Sequence, residues 1–528
     1  MSVIAVTAPA GIGGGSRRLW WAPPLLATSL AVLGLAVGWR GVDLPAQIYR
    51  VTLFHNEGFT LWDTGWYGGH WTLDYSVLFP PIGGMIGVGL TGVASAALAA
   101  LAFDRLVIGH FGPTARVGSF AFALGTIVQL SIGQLPFLLG EALGLAACWA
   151  ASRRRWGVAL GLAIATSLAS PLAGAFLGLA GLAWLISRWP AQRVGLGGLI
   201  AGAAVPVVIL ELLFPGQGFF PFPAADFVFE GIACGVMVLL LPRHERVLRA
   251  AGALYMLATT VSFFMPSAMG GNIGRLLECV AVPIAACVLW PLRRWALIAL
   301  AVPIALWQWV PAWGAVSKGI ARDPSSHKAY YDPLVSFLAS HDQPQGRVEV
   351  VPTRFHWEAA YVAPAVPLAR GWERQLDTAN NPLFYDETPI SAATYRAWLL
   401  NNGVRYVALP DAPIDFAGQA ESALVASGAP GLTPVWHDAH WKVFEVIGSD
   451  GIADGPIRLV NLAGDHASLI ADESGVGLLR VHFNPRWTVA SGAACVRSTA
   501  DGWTELHISA AGPIELRLTL VGGKPTAC

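Results

Sequence analysis

The chain has 528 residues, of which 55% are hydrophobic and only 12% charged, with a mean hydropathy of +0.55, against roughly 25% charged residues in ordinary soluble domains. A water-soluble fold cannot bury that much apolar surface, so the composition points to a chain that crosses a bilayer many times. The formal net charge is zero and the longest basic run is Arg153, Arg154 and Arg155, which argues against nucleic acid as a partner.

The first apolar run, Leu19 to Gly38, follows Arg17 and Arg18. No small-residue cleavage site precedes Arg40, so it reads as a retained signal anchor. Further runs are read at Val77 to Phe103, Val117 to Gly133, Leu135 to Ser152, Gly157 to Ala169, Leu172 to Ile186 and Leu196 to Phe214. Others follow at Phe227 to Leu241, Ala250 to Met265, Cys279 to Pro291 and Trp295 to Trp313. The expected architecture is a polytopic α-helical membrane bundle of about eleven spans. The two runs flanking Ser170 and Pro171 are short, so the chain there crosses twice or forms a re-entrant hairpin. Placing the arginine clusters at 17–18, 153–155, 188–193, 243–249 and 293–294 in the cytoplasm gives one self-consistent orientation. The N-terminus is then inside and the C-terminal region outside, in a bacterial cytoplasmic membrane.

After Trp313 the sequence turns polar, with Asp323-Pro324 as a break, and no later stretch is apolar enough to span. Three regions follow: a membrane domain over 1–316 with a large first outer loop over 40–76, an α/β domain over 317–450, and a β-sandwich-like domain over 451–528. The second alternates short β-like runs (Arg347 to Val351, Val404 to Leu409, Trp441 to Val446) with helical pieces such as Ser391 to Asn401. The third is a series of short runs punctuated by Gly, Pro and Asp. Cys148, Cys234, Cys279 and Cys287 fall in apolar segments and read as core thiols. Cys495 and Cys528 fall in the C-terminal region and are either joined or both free and exposed.

The first outer loop is dense in acidic and aromatic residues: Asp43-Leu44-Pro45, then Leu61-Trp62-Asp63-Thr64-Gly65-Trp66-Tyr67-Gly68-Gly69-His70, then Tyr75 and Phe79-Pro80-Pro81. Here, and in the phrases Asn402-Gly403-Val404-Arg405-Tyr406-Val407 and Phe483-Asn484-Pro485-Arg486-Trp487, the sequence resembles bacterial membrane proteins labelled 6-pyruvoyl-tetrahydropterin-synthase-related and their YfhO-like relatives. These look like members of the C-type (GT-C) integral-membrane glycosyltransferase superfamily. The label carries no pterin chemistry. The resemblance implies a polyprenyl-phosphate sugar donor, a glycan or glycolipid acceptor, and an acidic residue of the first outer loop as the catalytic group. It implies no cofactor, although the loop lacks the paired Asp-Glu of some relatives and divalent metal use stays open.

Sugar transfer from a lipid phosphate needs a general base for the acceptor hydroxyl, and Asp43, just past the first span, is the candidate. Its alternative role is to cap or solvate the start of the loop. Asp63 and Asp74 compete for the same task. His55 and His70 are weaker candidates for orienting a phosphate. Trp62, Trp66, Tyr67, Trp71 and Tyr75 carry faces for stacking on a sugar, or form an interfacial aromatic belt. Elsewhere Gln134 and Glu141 flank one outer helix end, and Asn272, Arg275 and Glu278 mark another. Arg275, assisted by Asn272, is expected to hold the donor phosphate or else to pair with Glu278 one helical turn away. On the first reading Asp43 and Arg275 open into one cavity without touching. The leading function is thus a cell-envelope glycosyltransferase acting on the outer face. The alternative is a non-catalytic membrane protein whose outer domain binds glycan or an envelope-assembly partner, and a transporter is the third reading.

Overall fold

A computed structural model describes residues 20–188, 192–216, 218–290, 293–317, 322–341, 345–386, 390–520 and 528. Arg17 and Arg18, the basic pair before the first span, lie outside the described residues. The chain divides into two compact units. One holds the described residues of 1–39, 89–209 and 221–314; the other holds those of 40–88, 210–220 and 315–528.

The first unit is helical. Among the described residues seven helices are long and apolar enough to cross a bilayer: Val88–Phe111, Pro113–Ile132, Leu135–Ser152, Pro171–Arg188, Arg193–Leu213, Arg246–Phe264 and Gly270–Leu289. Three apolar helices are shorter, at Ala22–Ala36, Trp156–Ala169 and Arg294–Val310, and Ala224–Leu240 carries Asp226 and Glu230 within 17 residues. The protein is therefore a multi-pass membrane protein by composition and helix length. Small residues let its helices approach closely, as lipid-immersed packing requires. Ala96, Ala99, Ala100, Ala123 and Ala142 pack around the stacked rings of Phe103 and Phe122.

Two expected spans are redrawn. The run from Val77 to Phe103 is not one helix: Gly87, at φ 90°, separates a short Phe79–Ile86 helix from Val88–Phe111. A positive φ is strained for residues with a Cβ, so the chain turns where the glycine stands. The span expected from Cys279 begins at Gly270, which brings Asn272, Arg275 and Glu278 into its first turns instead of leaving them at its border. Around Ser170 the break expected from Pro171 is present, with Ser170 in extended backbone as the residue before a proline prefers.

The second unit gathers the expected first loop with the C-terminal region, so the boundary falls near residue 40 as well as near residue 315. The loop carries an unforeseen helix, Leu44–Glu57, begun by Pro45, followed by a two-stranded ribbon of Trp62–Asp63 and His70–Trp71. Proline is favoured in the first helical turn, where its missing N–H has no partner to lose. Farther on, Arg347–Val350 pairs in parallel with Val404–Pro410, which continues antiparallel through Trp441–Val446 to Leu432–His437. Helices such as Ala392–Asn401, opened by a Ser391/Thr394 capping box, complete this α/β part. Beyond it lie two four-stranded antiparallel sheets, one ordered Ala494–Ser498, Trp503–Ile508, Gly475–His482, Ala453–Asp454 and the other Trp487–Ser491, Gly512–Leu518, His466–Ala471, Ile457–Ala463. In His466–Ala471 and, from Thr504 on, in Trp503–Ile508 buried and half-buried residues alternate, as strands with one inward face require. Cys495 and Cys528 form a disulfide.

Candidate functional site

In the second unit the loop is built around Asp63. Its carboxylate is 2% exposed and accepts hydrogen bonds from the Tyr49 hydroxyl (2.8 and 2.9 Å) and the Gly65 N–H (2.8 Å). Burial pushes this carboxyl up to about 6, against the pull of Gly65, Tyr49 and Arg50. A Cβ at position 65 would stand 2.1 Å from the Tyr49 hydroxyl, and one at Gly69, at φ 127°, 2.2 Å from Trp62 Nε1. The glycine-rich stretch is thus dictated by the close approach of two aromatic side chains.

Trp66 is fully buried, with Tyr49 stacked at 4.3 Å on its ring and His70 at 5.5 Å. Trp62 and Trp71 meet edge to face at 4.9 Å, and Tyr67 donates to the Glu373 carbonyl at 2.9 Å. Tyr49, Trp66 and Tyr67 form core together with Tyr331, Val348, Trp357 and Trp441. The expected sugar-stacking role of Trp66 and Tyr67 finds no open ring face here, because neighbouring protein already occupies it. His70 is held neutral: burial, reinforced by Arg50, lowers it to about 3, and its Nε2 stays 3.8 Å from Asp63.

Arg50 ties the loop to the α/β part. It pairs with Glu373 and lies 3.9 Å over the Tyr75 ring. Arg40 adds hydrogen bonds to the Ser326 carbonyl (2.6 Å) and the Tyr361 hydroxyl (2.9 Å), and Trp372 Nε1 donates to the Val42 carbonyl (3.0 Å). Asp74 is half-buried, and its carboxyl is held well above the ordinary range by desolvation and by Glu373, against Arg50. Asp43 precedes the Leu44–Glu57 helix at its N-cap position, 9% exposed, with no side-chain capping hydrogen bond to that helix. Arg50, Glu373 and Trp372 had not been singled out from the sequence, since their partners lie some three hundred residues away.

The other expected residues lie in the helical unit. Gln134 stands at the N-cap of Leu135–Ser152, and Glu141 lies two turns into that helix, interacting with Cys279. Gln129 Nε2 also reaches the Cys279 sulfur, at 2.6 Å. Asn272 sits in the 3-10 segment Gly270–Gly274, and Arg275 opens the helix Arg275–Leu289 with its guanidinium 5.7 Å from the Phe137 ring centre. Among the described residues Arg275 makes no ion pair within 4 Å, so the expected direct bridge to Glu278 is not formed, although Glu278 lies in its field. Glu230, 1% exposed, accepts from the Tyr255 hydroxyl at 2.8 Å, and a Cβ at Gly274 would stand 2.4 Å from its Oε1. Amides, carboxylates and one arginine are therefore carried by Leu135–Ser152, Gly270–Leu289 and Ala224–Leu240.

The structure brings Asp63, Trp66, Tyr67 and His70 together in one unit, which also holds Asp43 and Asp74. Gln134, Glu141, Asn272 and Arg275 belong to the other. Among the described residues no group of three or more His, Cys, Asp or Glu side chains has the geometry to hold a metal ion. No protein-family model matches the chain, and no curated protein matches it significantly in sequence.

Proposed function

We propose that this membrane protein transfers a sugar from a polyprenyl-phosphate donor to a glycan or glycolipid acceptor at the outer face of a bacterial cytoplasmic membrane, as a member of the C-type glycosyltransferase superfamily. The observation that carries this reading is Arg275. A cation in the first turn of a spanning helix opposes the helix dipole and is expensive to hold in a membrane. Among the described residues it has no carboxylate within 4 Å. An anionic headgroup, such as a lipid phosphate, supplies the missing counter-charge. Asp43 is the proposed general base: it takes the proton of the acceptor hydroxyl as that oxygen attacks the anomeric carbon and the polyprenyl phosphate departs. The two roles are tested separately.

Purified protein in proteoliposomes, given a panel of radiolabelled polyprenyl-phosphate sugars, should transfer label to lipid or glycan acceptor. Asp43→Asn should lower the rate at least about a hundredfold with donor KM little changed. Arg275→Gln should raise donor KM first. Transfer by Asp43→Asn at the wild-type rate would remove the mechanism. It would favour the second reading, a non-catalytic envelope protein, which the packing of the loop's rings into the C-terminal core already supports.

A further inference from the structure

A groove in the helical unit has none of the proposed sugar-transfer residues in its lining. It lies in the helical unit between the first turns of Trp156–Ala169 and Arg193–Leu213, holds about 450 Å³, and is lined by Trp156, Leu160, Gln192, Arg193, Gly195 and Gly198. That volume falls in the range of roughly 300–1,000 Å³ typical of small-molecule sites.

The two helices run side by side in the same direction. A Cβ at Gly195 would strike the Trp156 ring at 2.2 Å and one at Gly202 the Leu160 side chain at 2.8 Å, while Ser167 donates to the Ala203 carbonyl at 2.6 Å. Contacts thus advance together along both chains. Both helix N-termini consequently open at one end of the groove. Gly198 contributes floor without filling it: a Cβ there would meet nothing within 4 Å.

The charged residues between Glu141 and Glu211 are all arginines. Arg153, Arg154 and Arg155 form the exposed turn leading into Trp156, and exposed Arg188 and Arg193 flank the approach to the second helix. Between Glu141 and Glu211 the sequence contains no acidic residue. Among the described residues none of these five arginines makes an ion pair. An apolar slot lined by Arg193 at its mouth, with Arg155 next to Trp156, complements an amphiphile with an anionic head.

We propose that this groove binds one anionic phospholipid, its acyl chain along the Leu160 and Gly198 floor and its phosphate at the Arg193 and Arg155 rim. Exposed arginines draw the headgroup in through the charge of the leaflet on their side. The slot left open at Gly198, beside the Trp156 ring that packs on Gly195, then provides the apolar surface that a headgroup contact alone lacks. The site requires nothing of the sugar-transfer reading.

The test uses the full chain in nanodiscs of equal phosphatidylglycerol and phosphatidylcholine, with retained lipid read by native mass spectrometry. Wild type should keep one phosphatidylglycerol in preference to phosphatidylcholine. Gly198→Leu, which fills the slot, should lose that adduct, whereas Gly161→Leu, exposed and outside the groove, should keep it. Arg193→Gln with Arg155→Gln, both at exposed positions, should weaken retention about fivefold per arginine removed. Equal retention of the two lipids by wild type would overturn the proposal. So would unchanged phosphatidylglycerol retention in Gly198→Leu or in the double arginine variant.

Discussion

Arg370→Met tests whether a buried charge cluster holds the α/β part together. The Arg370 Nε donates to Glu349 Oε1 at 3.0 Å and an Nη to Glu421 Oε2 at 3.0 Å, with Asp377 at 3.9 Å. The side chains of Arg370, Glu349 and Glu421 are 4%, 0% and 0% exposed, so water cannot replace the guanidinium once it is gone. Removing one partner of such a cluster costs about 3–5 kcal/mol, a large share of the roughly 5–15 kcal/mol that stabilises a domain. At about 2–4 °C per kcal/mol for a domain of this size, the corresponding transition should fall by about 6–20 °C. Full-length protein in detergent supplies the melt. Hydrogen exchange in Arg347–Val350 and Val404–Pro410 identifies the region that opens, since a multi-domain chain need not unfold in one step.

The sign with pH follows from the carboxyls. Burial already holds Glu349 well above the ordinary range and raises Glu421, with Arg370 opposing both shifts. Without Arg370 their folded-state values rise further above the unfolded ones. The folded variant then binds more protons, so its stability should recover as pH falls and be lost as pH rises. Adding Glu349→Gln and Glu421→Gln should restore much of the loss at neutral pH. A melt within about 1 °C of wild type, with exchange in both strands unchanged, would refute the reasoning.

The loop makes two further predictions. Asp63, raised from 3.8 to about 6 by burial, contributes stability that is complete at low pH and falls by about 3 kcal/mol as pH rises between those values; Asp63→Asn should remove that dependence, and a wild-type-minus-variant difference that stays constant from about pH 4 to 7 would count against it. Gly65→Ala should destabilise by about 1–3 kcal/mol, because its Cβ would stand 2.1 Å from the Tyr49 hydroxyl and displace it from Asp63; tryptophan fluorescence during the melt reports the loss, since Trp66 stacks on Tyr49.

Local patterns carried over where they were decided locally. Ser170-Pro171 marks a break because proline restricts the residue before it, and runs such as Leu478 to Phe483 and Thr504 to Ser509 read as strands because side chains alternate between faces. Trp66 and Tyr67 illustrate the opposite case. An exposed sugar platform and a buried core layer use the same aromatic residues in the same spacing. Only the arrival of Glu373, Val348 and Trp357 from far along the chain separates them. Arg50 was missed for the same reason, as its partner Glu373 lies 323 residues on.

The sequence by itself determined that this is a membrane protein with a β-rich C-terminal region, since hydropathy and strand alternation are sums over neighbouring residues. It also set out the choice for Cys495 and Cys528 without resolving it. Tertiary structure alone decided that those two are joined, that Gly87 divides the second apolar run, that the 40–88 segment folds with the C-terminal region, and that Arg275 stands apart from Glu278. The disulfide and the placement of the 40–88 segment depend on which distant surfaces meet. Pairing energies among buried charges and rings act over a few ångströms in space, and spacing along the chain does not encode that distance.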